Sequence, residues 1–216
     1  MSANQAGLEL LIDVFEHAAQ RAIALPTLLP TELVAAVIEE FREIEFLGSD
    51  PTRYQLINIA TRAALNEQIS VGKQLAAGGR LALLEREEPL PPSTQPPSRP
   101  IYLRDQSSGT VYKLGWQPAI IGRTDATQQD NQLIAVNLST HDAGQRVSRR
   151  HARIVESKGQ FFVEQLAQNP TIVKNTQGAT TRVERDRCRI QNGDTIMLEN
   201  SQIALKFIVR DKAPAT

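Results

Sequence analysis

Two hydrophobic periods divide the chain. From Leu8 to Leu84 apolar residues recur mostly at steps of three and four, the spacing of one helix face. Leu8, Leu11, Val14, Phe15, Ala18, Ala19, Ala22 and Ile23 predict a first helix. After the break "LPTLLP", Leu33, Val34, Val37, Ile38, Phe41 and Ile44 predict a second, with Thr31 as its cap and Glu32 beside the positive end of its dipole. Asp50-Pro51 reads as the cap and first position of a third helix, carried by Tyr54, Ile57, Ala60, Ala64 and Leu65. A fourth segment, about 66–88, is interrupted by Gly78-Gly79. The expectation for 1–88 is therefore a small all-α bundle.

After Pro100 the period changes. "IYLRD", "TVYKLG", "PAIIGR", "LIAVNL", "HARIVE", "QFFVEQL", "TRVE", "DTIML" and "IALKFIVR" are short β-branched or aromatic runs separated by turn residues. This spacing predicts an all-β sandwich or barrel over 101–210, followed by a tail, 211–216. "ESKGQFFVEQL" reads as a hairpin, and "QNGDTI" as a second tight turn in which Asp194 is a turn former. Between the halves, residues 89–100 read "PLPPSTQPPSRP", six prolines in twelve positions, which predicts an extended, semi-rigid linker.

Charge sharpens the division. The chain is neutral overall, but residues 1–100 hold 8 Lys+Arg against 13 Asp+Glu, and residues 101–216 hold 16 against 11. An excess of five positive charges is too small to argue for nucleic acid. The aromatics that interleave with basic side chains on single-strand-binding surfaces are missing beside Arg146–Arg153. The single cysteine, Cys188, excludes an intrachain disulfide and a cysteine metal cluster, and reads as a small buried hydrophobe. The first twenty residues lack a basic region and carry Glu9 and Asp13 within their apolar stretch. No signal peptide or membrane span is expected, and the default location is cytoplasmic.

Four features follow in order within the β half. Gly122-Arg123 closes the strand "AIIGR"; Ser148 and His151 stand three apart in "VSRRH"; Asn169 and Thr171 flank a proline in "NPT"; Asn192-Gly193-Asp194 precedes the last strands. This succession resembles the forkhead-associated (FHA) domain family, over about 101–210. The resemblance implies an eleven-stranded β-sandwich that binds phosphothreonine peptides through loops at one end. By that resemblance Arg123 supplies charge-assisted hydrogen bonds to the phosphate, Ser148 a hydroxyl donor and Arg149 a further basic contact. Asn169 holds the peptide main chain, while Gly122, His151 and Thr171 are supporting residues. The chemistry suits the ligand: a phosphothreonine carries about −1.5 to −2 charge and three acceptor oxygens, and a guanidinium matches phosphate geometry. Arg150 and Arg153 read as solvated outward charges. Two departures stand out: "NPT" replaces Asn-Gly-Thr, and Gln168 occupies a position where many members carry Ser or Thr.

The function expected is a phosphothreonine-dependent adaptor in signal transduction. Its partner would be phosphorylated by an upstream Ser/Thr kinase, with the helical half supplying a second contact or self-association. The alternative is a scaffold protein whose sandwich binds partners without phosphate. No enzyme is expected, and no cofactor or metal: there is no GxxxxGK[ST], G-x-S-x-G or HExxH, and His141 beside Asp142 is an acid–base pair only by adjacency. Neither nucleic acid nor membrane is an expected partner. Thr94, in the linker sequence "PPSTQPP", is a candidate regulatory phosphosite that the β half of the same or a neighbouring molecule could bind.

Overall fold

The computed structural model describes residues 7–127, 131–184 and 187–211. The chain divides into two units, Met1–Glu87 and Glu88–Thr216.

The first unit is not the expected helical bundle. Among the described residues it is a five-stranded mixed sheet with one helix of substance. Strands β1 (Leu8–Val14) and β2 (His17–Ala24) form a hairpin where the first helix was expected. Leu10, Ile12 and Val14 are buried while Glu9 and Asp13 turn away, a period of two within residues that also fit steps of three and four. Helix α1 (Pro30–Glu40) is the one expected helix that forms, and it buries Leu33, Val34, Val37 and Ile38. Its cap is not Thr31: the Glu32 carboxylate reaches back and accepts from Leu29 N–H at 2.7 Å. Asp50 does cap, accepting from Thr52 N–H at 3.0 Å, but only for the 3₁₀ turn Pro51–Arg53. The chain then extends into β3 (Tyr54–Asn58), whose alternation buries Tyr54 and Leu56. The two-residue β4 (Ala63–Ala64), the single turn α2 (Val71–Gln74) and β5 (Gly79–Glu85) complete the unit. The sheet order is β2-β1-β5-β3-β4, parallel only between β1 and β5. Alpha propensity lost because Leu10, Ile12, Val14, Leu56, Leu81 and Leu83 together make one sheet face that α1 covers in a common core.

The second unit has eleven strands among the described residues, in two sheets. Its strands are β6 (Ile101–Asp105), β7 (Val111–Lys113), β8 (Ala119–Gly122), β9 (Ile134–Asn137), β10 (Arg150–Ser157), β11 (Gln160–Gln165), β12 (Thr171–Lys174), β13 (Thr180–Val183), β14 (Cys188–Ile190), β15 (Thr195–Leu198) and β16 (Ile203–Val209). The sheet orders are β14-β11-β10-β8-β9 and β13-β12-β15-β16-β6-β7. Ile121, Ala152, Ile154, Phe161 and Val163 of the first sheet share one core with Leu103, Val173, Ile196, Leu205 and Phe207 of the second. The Phe161 and Phe207 rings meet edge to face at 5.5 Å between centroids. The expected β10–β11 hairpin is present, and its two-residue turn, Lys158 (φ 52°) and Gly159 (φ 71°), has the positive φ values that suit the twist of the strands.

Part of the proline-rich stretch lies along this unit. Gln95 bridges Gln117, Ser98 N–H donates to Glu156 Oε2 at 2.8 Å, and the Arg99 guanidinium stands 5.8 Å from the centre of the Phe161 ring. Of the tail, only Asp211 lies within the described residues. Among the described residues no helix is long and apolar enough to cross a membrane.

Candidate functional site

β8 and β10 run antiparallel, with Gly122 opposite Arg150, so the end of one strand meets the start of the other. The segment entering β10 passes directly over Gly122. A Cβ built there would lie 2.1 Å from the Arg149 carbonyl oxygen and 3.2 Å from that of Ser148. Only glycine permits this approach. The neighbouring Arg123 uses it twice. Its N–H donates to the Arg149 carbonyl at 3.3 Å, and its Nε donates to the Val147 carbonyl at 3.0 Å. The guanidinium is thereby held against the segment that carries Ser148. Among the described residues its two terminal nitrogens donate no hydrogen bond.

Ser148 and Asn169 are brought together. Asn169 Nδ2 donates to Ser148 Oγ at 3.1 Å, so the serine oxygen accepts and its own proton stays available to a ligand. His151 is fully buried, and its Nδ1 accepts from the Ser148 N–H at 3.4 Å. The bond requires an unprotonated Nδ1. Burial pushes the ring below its usual pKa, against a smaller opposing pull from the Pro170 carbonyl. His151 also binds the next loop, since its carbonyl accepts from Leu166 N–H at 3.0 Å. Thr171 is buried at the start of β12, where its N–H donates to Gln165 Oε1 at 3.2 Å. Thr171 Oγ1 finds no hydrogen-bond partner among the described residues. Gln168 is exposed.

Arg149 is half exposed and already paired: its Nη1 donates to Asp125 Oδ2 at 3.1 Å. Arg153 pairs across the strands, its Nε donating to Glu164 Oε2 at 2.6 Å, and Arg150 Nη1 donates to the Arg149 carbonyl at 3.1 Å. The basic run thus separates into distinct environments. Thr94 lies away from these loops in sequence, in a turn where its hydroxyl donates to the Pro91 carbonyl at 2.6 Å.

Three supporting groups carry no signal in the motif spacing. Asn137, at the end of β9, accepts through Oδ1 from Thr124 N–H at 3.2 Å and Ser139 N–H at 3.1 Å, bracing the residue after Arg123. Gln165 supports Thr171, as above, and donates through Nε2 to the Ala167 carbonyl at 2.8 Å. His141 is linked to Asp105, not to its neighbour Asp142: Nε2 lies 3.2 Å from Asp105 Oδ2, and Nδ1 accepts from Ala143 N–H at 3.0 Å. Asp105 is fully buried, and Ser107 Oγ donates to it at 2.8 Å. Burial raises its pKa, but hydrogen bonds from Ser107 and Ser108 outweigh burial and hold the carboxyl below the usual range. A serine, a histidine and an aspartate therefore meet without forming a nucleophilic triad. The serine and histidine protons are both directed to the carboxylate, and the other imidazole nitrogen is occupied. They instead tie the 138–146 loop to the end of β6. Among the described residues no group of three or more His, Cys, Asp or Glu side chains could hold a metal ion.

Residues 119–199 match the family model of the FHA domain. The second unit of the chain carries an FHA domain. Similar solved structures include the FHA domain of human APLF in complex with an XRCC1 bisphospho peptide, at 20% identity and a TM-score of 0.38, covering 50% of this chain and 97% of that chain. Mycobacterium tuberculosis EmbR in complex with a low affinity phosphopeptide is 22% identical with a TM-score of 0.40, covering 54% of this chain and 26% of that chain. A protein designed on the basis of ubiquitin is 17% identical with a TM-score of 0.32, covering 40% of this chain and 96% of that chain. A comparison with curated proteins finds no match.

Proposed function

We propose that the second unit is a binding module for a phosphothreonine-containing segment of a partner protein, and that the chain acts as an adaptor. The observation that carries this reading is the state of Arg123. Its Nε is pinned to Val147, and its two terminal nitrogens have no protein acceptor among the described residues, which leaves them for an anion. Ser148 supplies a hydroxyl proton from the adjoining residue, its oxygen being occupied by Asn169. Arg149 adds a second guanidinium, and the Asn169 carboxamide both accepts and donates toward a peptide main chain. The FHA family match and the phosphopeptides named for two of the similar structures support the same ligand class. The mark on the partner would be written by a Ser/Thr kinase.

The test is a set of threonine peptides of diverse flanking sequence, each made with and without phosphate and titrated against the full chain. Binding confined to phosphorylated members is expected. A diverse set in which no phosphorylated peptide binds would overturn the proposal.

A further inference from the structure

Asp125 lies two residues after Arg123, within the loop that leaves β8, and its carboxylate is fixed from several sides. Oδ1 accepts from Thr127 N–H at 2.9 Å and from Thr127 Oγ1 at 2.7 Å. The backbone is bracketed by Asn131, whose Oδ1 accepts from Asp125 N–H at 3.2 Å and whose Nδ2 donates to the Asp125 carbonyl at 2.8 Å. With Oδ1 committed to the turn, Oδ2 is aimed at Arg149 Nη1, 3.1 Å away. The aspartate side chain is 21% exposed and the arginine side chain 52%. The Thr127 hydrogen bonds, with Arg149 adding to them, hold the carboxyl below the usual carboxylate range, so the group is ionised at neutral pH.

A phosphate that takes Arg149 must therefore deal with an anion already bound to it. Arg149 is then either shared through its other nitrogens or withdrawn from Asp125, and either outcome leaves a fixed negative charge near a dianionic ligand. Repulsion between the two acts within the Debye length, at short range. Arg123 has no such opponent among the described residues. The two arginines are thus unequal: one is open, the other is occupied.

We propose that Asp125 is an affinity-setting residue of the site, competing with the ligand phosphate for Arg149 and holding phosphopeptide binding below what the two arginines would otherwise give. This rests on the phosphothreonine reading above. Removing an exposed ion pair of this kind changes an equilibrium by about two- to five-fold.

The experiment is a double-mutant cycle on the full chain, with Asp125→Asn, Arg149→Ala and the two combined. The probe is the fluorescein-labelled phosphothreonine peptide that binds the wild-type chain most tightly in the set described above, read by fluorescence anisotropy. Asparagine keeps the oxygen that caps Thr127, so the turn is retained while the charge is lost. Asp125→Asn is expected to tighten binding about two- to five-fold, and the gain to vanish in the Arg149→Ala background. Unchanged or weaker binding by Asp125→Asn would overturn the competition, since it would make Asp125 neutral or an orienting partner of Arg149. An equal gain in the Arg149→Ala background would also overturn it, by making the effect one of general charge. If neither the wild-type chain nor Asp125→Asn binds any phosphopeptide, the phosphothreonine reading itself fails; binding by the wild type with no gain in the variant removes only the role of Asp125.

Discussion

Replacing Gly122 by alanine places a methyl group 2.1 Å from the Arg149 carbonyl oxygen and 2.9 Å from its carbon. Ordinary van der Waals separation at such a contact exceeds 3.4 Å, so the two backbones must part by more than about 1 Å. Neither partner is a flexible side-chain end. The displaced carbonyl is the acceptor of the Arg123 N–H bond, which is already 3.3 Å long. Losing that bond costs about 1 kcal/mol, and overpacking strain adds about 1–3 kcal/mol. The expected loss of stability is about 2–4 kcal/mol. Trp116, buried and the only tryptophan in the chain, lies in the second unit, so its fluorescence in a urea titration follows that unit alone. With a slope of about 2 kcal/mol per molar urea, the midpoint should fall by about 1–2 M. Phosphopeptide affinity should fall in the same variant, because the strand that carries Arg123 is pushed from the segment that carries Ser148. A midpoint within about 0.3 M of wild type, with unchanged affinity, would refute the close approach as the reason for glycine.

Other expectations follow from single groups. His151 is buried and favours its neutral form, so the unfolded chain binds the extra proton first as pH drops. Its contribution to stability is fully present above the unfolded value of about 6.5 and is lost as pH falls through the lowered folded value, at up to about 1.4 kcal/mol per pH unit; His151→Gln should flatten that part of a Trp116 stability–pH profile. Asp105→Ala strips the Ser107 and Ser108 hydroxyls and His141 of their shared acceptor and should destabilise the second unit by about 2–3 kcal/mol, read by the same fluorescence. Tyr54, whose hydroxyl accepts from the Gly48 N–H at 2.7 Å, has its pKa pushed up to about 12, chiefly by burial. Tyr54→Phe should leave that amide unsatisfied, cost about 1–3 kcal/mol, and lower the melting temperature followed by far-ultraviolet circular dichroism.

The β half was legible because its signals are local. Lys158-Gly159 and Asn192-Gly193 announce their turns through a glycine that tolerates positive φ, and strands such as "QFFVEQ" and "TIML" alternate buried and partly exposed positions. Gly122 was legible as half of a motif, while its reason, an overhead backbone, appears only in three dimensions. The first unit misled for an equally physical reason. β2 is an edge strand of sequence "HAAQRAIA" that buries only Ala24, so it has no alternating apolar face to display, and its alanines favour a helix when read alone. β3 follows a sound helix-start signal, Asp50-Pro51, that serves a single 3₁₀ turn. Asn137 and Asp105 reach partners well separated in sequence, Thr124 and His141, and Gln165 reaches across a loop to Thr171; polar residues of that kind are indistinguishable from loop composition.

Binding that depends on both the phosphate and Arg123 is the central expectation for the second unit. The decisive measurement is a calorimetric titration of the full chain with its best phosphothreonine peptide, with the same peptide lacking phosphate, and with the phosphopeptide against Arg123→Ala. Full-strength binding is expected only for the first pairing, none for the peptide lacking phosphate, and weakened binding for the variant. The Arg123→Ala variant should lose about ten- to a hundred-fold in affinity, the scale of charge-assisted hydrogen bonds, while its Trp116 urea midpoint falls by no more than about 0.5 M for the lost Nε bond to Val147. Equal binding of the two peptides, or undiminished binding by Arg123→Ala, would contradict the assignment.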